Sequence, residues 1–288
     1  MFPDSRSVFL GCVGSKGGQG ASMFAACLAG LCSHDRKTIL LDLDFNSTHR
    51  HILDREGSAG ISNLAMVIEE ISSLSTANIV QRHPLGFDLL PGMKTREEEQ
   101  LLSQVKLNLI FKLLAEEYDV VLLDISSNHH LINLGALSPC SLSFLILHPD
   151  LLSLRCAMRV LELGGRVEAP SAIPWGLIVN RERAAGLVQP SQVSEVLELP
   201  LLAVLPEDPH AGEDFSNLLG KEPRNTQYMI ALERMAEYLR LVRGPGSVRK
   251  KGLPSRCLRA LRTLSGEPDE MMPGAGGLLS RKGYSCAR

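Results

Sequence analysis

Ser7-Val-Phe-Leu-Gly-Cys-Val13 runs directly into Gly14-Ser-Lys-Gly-Gly-Gln-Gly-Ala-Ser22, and the alanine- and leucine-rich stretch Ala21–Cys32 follows. The first piece is a short apolar run, the form taken by a strand buried on both faces. The last has the composition of a helix. Between them, Gly14, Gly17, Gly18 and Gly20 let the backbone turn tightly and approach a ligand closely. In the order strand, loop, helix, successive N–H groups turn inward as a nest, and the helix start adds its positive end. The stretch is therefore expected to bind phosphate rather than merely to turn. Ser22 stands where a hydroxyl reaches a magnesium ion.

Outward from the loop, short apolar runs alternate with amphipathic stretches. Thr38–Leu43, Phe87–Leu90, Asp119–Leu123, Leu142–Leu147, Trp175–Val179 and Leu201–Leu205 read as further strands. Asp150–Leu163, Gln189–Leu197 and Thr226–Val242 read as helices, and Glu97–Glu117 gives the clearest helical signal, with Leu101, Val105, Leu109, Leu113 and Leu114 on one face. Buried strands alternating with helices predict an α/β fold: a doubly wound, mostly parallel sheet in a three-layer sandwich. Ligands of such sheets bind beyond the carboxyl ends of the strands, where the loop lies. No internal repeat is present.

Composition narrows the function. The net charge of −2 gives no overall field toward nucleic acid, and 5% aromatic residues argue against broad base-stacking surfaces. The seven cysteines, at 12, 27, 32, 140, 156, 257 and 286, form no CxxC pair and read as buried, reduced thiols. No window reaches the roughly 18 apolar residues of a membrane span, and no export signal precedes the first strand, so the chain is expected to be cytoplasmic.

Composition changes after Arg243. Residues 244–288 hold nine Lys or Arg against three acids, which leaves the body, residues 1–243, at −8. The tail is expected to be largely disordered, because it cannot bury enough apolar surface to offset its ordering entropy. Within it, Leu258, Leu261 and Leu264 alternate with Arg256, Arg259 and Arg262. That pattern suits peripheral membrane contact, but ten residues is short for stable surface binding, and a solvated tail is preferred.

The loop resembles the deviant phosphate loop of the ParA/MinD family, Lys-Gly-Gly-x-Gly-Lys-[Ser/Thr]. Gly17, Gly18, Gly20 and Ser22 match, Gln19 fills the variable place, and Lys16 matches the early signature lysine. The resemblance implies that Lys16 reaches the partner's phosphates across a nucleotide-sandwiched homodimer. The later lysine is replaced by Ala21, and Met23 follows the magnesium ligand. A Gly-Ala-[Ser/Thr] loop is similar to that of the CpaE/TadZ branch, here without that branch's receiver-like domain. Losing the lysine removes a charge-assisted contact of roughly 1.5–3 kcal/mol, which predicts roughly ten- to a hundredfold weaker nucleotide binding and doubtful hydrolysis.

The resemblance runs in order from residue 7 to 242 and implies further roles. Leu40-Leu-Asp-Leu-Asp-Phe45 ends in the family's Asp-x-Asp, making Asp44 the carboxylate that positions attacking water. Tyr118-Asp-Val-Val-Leu-Leu-Asp124 looks like a Walker B strand, with Asp124 serving magnesium beside Ser22. Gly176-Leu-Ile-Val-Asn-Arg181 puts Asn180 at the adenine edge, and Leu201-Leu-Ala-Val-Leu-Pro206 puts Pro206 in the segment that cups the base. Gly17, Gly18, Gln19, Gly20, Ala21 and Ser22 would hold the phosphates. Alternatives read from the residues alone are turns or caps at Asp44 and Asn180. His49, His51, His129 and His130 have no cysteine or acid completing a metal set, and Arg50 and His51 are expected to face solvent or a partner.

The implied function is an ATP- and Mg2+-dependent dimerising regulator that positions pilus, secretion, septum or polar machinery, peripheral at the inner membrane or cell pole, with weak or no hydrolysis. One alternative is a partition-type ATPase that binds DNA nonspecifically, which the acidic body opposes. Another is a pseudo-ATPase scaffold without nucleotide. A Rossmann oxidoreductase is disfavoured by the missing GxGxxG spacing.

Overall fold

Eight strands form one sheet in the computed structural model, which describes residues 7–43, 49, 59–68, 79–93, 95–125, 134–167, 172–182, 188–208 and 226–242. The strands are β1 (Val8–Gly14), β2 (Thr38–Leu43), β3 (Gln81–Arg82), β4 (Asp88–Leu90), β5 (Val120–Ile125), β6 (Leu142–Leu147), β7 (Trp175–Glu182) and β8 (Leu201–Pro206). Their order is β3-β4-β2-β5-β1-β6-β7-β8. All neighbours are parallel except β3 and β4. β1, β2, β5 and β6 are buried along their whole length, as their unbroken apolar runs require. Because β5 inserts between β1 and β2 while β6 flanks β1 on the other side, the strand order reverses at β1. That is a topological switch point, and the glycine loop leaves β1 there.

The described helices are α1 (Ala21–Ser33), α2 (Ile61–Val67), α3 (Gln104–Glu117), α4 (Leu151–Gly164), α5 (Pro190–Leu197) and α6 (Gln227–Tyr238). They divide into two layers around the sheet. One core joins residues of α2, α3, α4 and α5, with Phe9 edge-on to Phe111 at 5.7 Å. The other joins α1 and α6, with Phe24 edge-on to Phe144 at 5.1 Å. The three-layer α/β architecture expected from the sequence is present. The tail from residue 243 onward lies outside the described residues.

The helix read at Glu97–Glu117 is corrected in two ways. Arg96–Leu101 forms a 3-10 turn, and the α-helix begins only at Gln104, where Ser103 Oγ accepts the Lys106 N–H. The buried stripe is Leu107, Ile110, Phe111 and Leu114, whereas Val105 is 64% exposed and Leu109 37%. The chain is apolar on two faces there, and packing against Phe9 selects the face carrying the larger ring.

His83 closes the turn between β3 and β4. Its ring stacks on Phe87 with centroids 4.2 Å apart, and its Nδ1 accepts the Leu85 N–H at 3.1 Å. Burial, and then the charge of His49, lowers its pKa from 6.5 to about 4. The unfolded chain therefore binds more protons than the folded one between these values. Stability supplied by the neutral ring is complete above pH 6.5 and is lost as pH falls to about 4. The expected acid loss is on the order of 3 kcal/mol. Thermal unfolding between pH 7 and 4.5 should show this slope, and His83→Gln should flatten it; equal slopes in both proteins would refute the assignment.

Candidate functional site

The loop turns back on two left-handed glycines, Gly18 at φ 77° and Gly20 at φ 82°. No L side chain adopts these angles readily. Gly20 also sits at the start of α1, and no side-chain hydrogen bond caps that helix. The loop is tied to the sheet at several points. Ser15 N–H donates to the Ile146 carbonyl at 2.9 Å. Gln19, only 2% exposed, accepts the His148 N–H on its Oε1 at 2.6 Å. Its main-chain carbonyl accepts from Asn180 Nδ2 at 2.8 Å. Asn180 Oδ1 in turn accepts the Arg181 N–H at 2.9 Å, and Arg181 takes a left-handed φ of 53°.

The structure thus brings Lys16, Gln19, Gly20, Ala21, Ser22 and Asn180 to one end of the sheet. Pro206 ends β8 at the same carboxyl edge, opposite Glu182 of β7. Asp124 stands level with Cys12 of β1 and Asp42 of β2 across the neighbouring strands. Both carboxylates are buried, at 1% and 0% exposure. Asp44 lies outside the described residues, as do Arg50, His51, His129 and His130.

Sequence reading weighed His49 only as a metal ligand and missed its pairing with Asp124. His49 is buried, and its Nε2–H donates to Asp124 Oδ2 at 3.0 Å. Seventy-five positions separate the two in the chain, and no periodic signal links them. His148 and Asp150 were also missed as neighbours of Lys16. Burial, Arg181 and Lys16 hold the His148 ring below its ordinary pKa. Asp150 caps α4 through Ser153, and despite burial these bonds and Lys16 keep its carboxyl low. Hence Lys16 sits within electrostatic reach of both groups. The charged residues after β6 gave no pattern that would mark them from sequence alone.

The residues fit an anion with a divalent ion. Ser15 Oγ and His148 Nε2 are buried without a hydrogen-bond partner among the described residues, on the loop and beside it. Ser22 and Asp124 offer oxygen donors, the chemistry a hard cation takes. Two neighbouring buried carboxylates also favour positive charge nearby. Among the described residues, no cluster of three His, Cys, Asp or Glu side chains could hold a metal by itself. Burial pushes the Cys27 and Cys32 thiols up to about 12, and the Cys12 and Cys140 thiols are raised for the same reason, so these four are inert. No described helix is long and apolar enough to cross a membrane.

No family model matches the chain. A putative septum site-determining protein MinD of Guillardia theta is 27% identical over 203 residues, covering 67% of this chain and 72% of that protein. A ParA family ATPase of Chlorobium tepidum superposes with a TM-score of 0.72 at 20% identity, over 82% of this chain and all of that one. The septum site-determining protein MinD of Pyrococcus horikoshii, solved in complex with Mg-ADP, gives 0.67 at 23% identity over 81% and 96%. Over two thirds of its length the chain is thus similar in sequence to septum site-determining MinD proteins, and it shares the fold of solved ParA and MinD ATPases.

Proposed function

We propose that this chain is a nucleotide-gated positioning protein. It binds ATP with magnesium, closes into a homodimer, and docks on machinery at the septum, a cell pole or a pilus or secretion complex. One observation carries the reading: a tied, glycine-turned loop stands at the switch point beside a buried strand-end carboxylate, Asp124. Lone nests occur in many proteins, but a nest paired with a buried carboxylate supports a site for a phosphate group and its counter-ion. Septum-site relatives support the positioning role. Alanine at position 21 supports the finer placement beside the CpaE/TadZ branch and weak or absent hydrolysis.

In this reading the loop N–H groups and Gln19, Gly20, Ala21 and Ser22 hold the phosphates. Ser22 and Asp124 hold magnesium, whose chemistry is to neutralise phosphate charge. Asn180 and Pro206 border the base, Asp44 orients water where turnover survives, and Lys16 reaches the partner's phosphates.

The test is calorimetry with Mg-ATP and Mg-ADP, with light scattering on the same samples. Micromolar ATP binding and a doubled mass are expected, and Lys16→Ala should keep the mass at one subunit while nucleotide still binds. No binding of either nucleotide at millimolar concentration would sink the proposal. That outcome would favour the scaffold reading, which has its own support in His49 already bonded to Asp124.

A further inference from the structure

Gln19 is an unusual residue to find buried in a loop of glycines. Both neighbours, Gly18 and Gly20, take left-handed angles, and a chain with that composition has wide conformational freedom. Yet Gln19 is anchored from two sides. Its side chain accepts from the main chain just past β6, at His148, over 2.6 Å. Its carbonyl accepts from Asn180 of β7 over 2.8 Å, and Asn180 is itself 2% exposed. The contact is tight: an added Cβ on Gly20 would stand 2.5 Å from Asn180 Nδ2.

Two physical consequences follow. A residue cross-linked to two adjacent strand ends cannot sample the conformers its glycines allow, so the ordering cost is met before a ligand arrives. A carbonyl committed to Asn180 also cannot turn its negative end toward an incoming phosphate. Both effects favour anion binding without adding charge. The loop lacks charge where it would ordinarily be found, because Ala21 stands in place of a lysine.

We infer that Gln19 is a positioning residue, and that the Gln19–Asn180–His148 clamp fixes the phosphate loop in its anion-binding form, so that preorganisation substitutes for the charge absent at Ala21. The inference rests on the nucleotide-binding reading of the loop. It gives Asn180 a role exerted through the loop, distinct from contact with a base. A long amide suits the position because its oxygen has the reach to accept the His148 N–H.

The test uses the full chain. Gln19→Met keeps length and loses the strong acceptor; Asn180→Leu removes the second tie. Calorimetry with Mg-ADP should show about tenfold weaker binding for each. The double variant should be no more than about twofold worse than the poorer single, because the ties act as a unit. Hydrogen exchange of the unliganded protein should show faster exchange at loop amides 15–22 while β5 and β6 stay protected, which separates a local clamp from general loss of fold. Binding by Gln19→Met within twofold of the parent, or exchange quickened equally across the sheet, would overturn the inference. If the parent binds neither Mg-ADP nor Mg-ATP, the nucleotide reading fails by itself. The exchange contrast then decides the clamp alone, and unchanged loop exchange in Gln19→Met overturns it.

Discussion

Gly20→Ala is expected to abolish nucleotide binding at concentrations that saturate the parent, while Gly18→Ala only weakens it. Both positions have a positive φ, so alanine at either costs about 1–2 kcal/mol of backbone strain. They differ in surroundings. Nothing lies within 4 Å of a Cβ built on Gly18, whereas one on Gly20 meets Asn180 Nδ2 at 2.5 Å. Asn180 must then retreat and give up Gln19, which releases the loop and leaves a buried carbonyl unpaired, at roughly 1–3 kcal/mol more. Together these imply roughly a hundredfold loss or greater for Gly20→Ala and roughly tenfold for Gly18→Ala. Calorimetry with Mg-ADP reads the contrast. Equal losses at both positions would mean that strain alone governs the loop.

Ala21→Lys is expected to act in the opposite direction. A lysine there places a charge against the terminal phosphates, worth on the order of 1.5–3 kcal/mol. ATP affinity should rise ten- to a hundredfold, with ADP gaining less, and slow phosphate release should appear. Ala21 is half-buried at the first turn of α1, where the loop is already held by Gln19 and Asn180. The gain should therefore need no rearrangement. Single-turnover phosphate release and calorimetry on the same variant provide the measurement. An unchanged ATP affinity would show that the missing lysine does not limit binding, and attention would shift to His49 on Asp124.

The strands were legible because parallel strands covered on both faces leave unbroken apolar runs, and β1, β2, β5 and β6 are such runs. Gly20 and Gly18 were legible because positive φ selects glycine. The face of α3 was not, since Val105 and Leu109 satisfy a helical period as well as Leu107, Ile110 and Phe111 do. Only tertiary packing separates two such stripes. α2 and the two-residue β3 are too short to carry a period. At the site, loop residues close in sequence were visible together, but His49 on Asp124 and Gln19 against His148 and Asn180 are long-range pairs with no local signature.

The antiparallel stub β3 has a bearing on how copies of this chain meet. It is two residues long, and its Arg82, with a 68% exposed side chain, is paired to Asp88 at 3.0 Å. An incoming strand would find almost no ladder to extend and would have to strip water from an ion pair to reach it. Edge-to-edge polymerisation is thus blocked on that side.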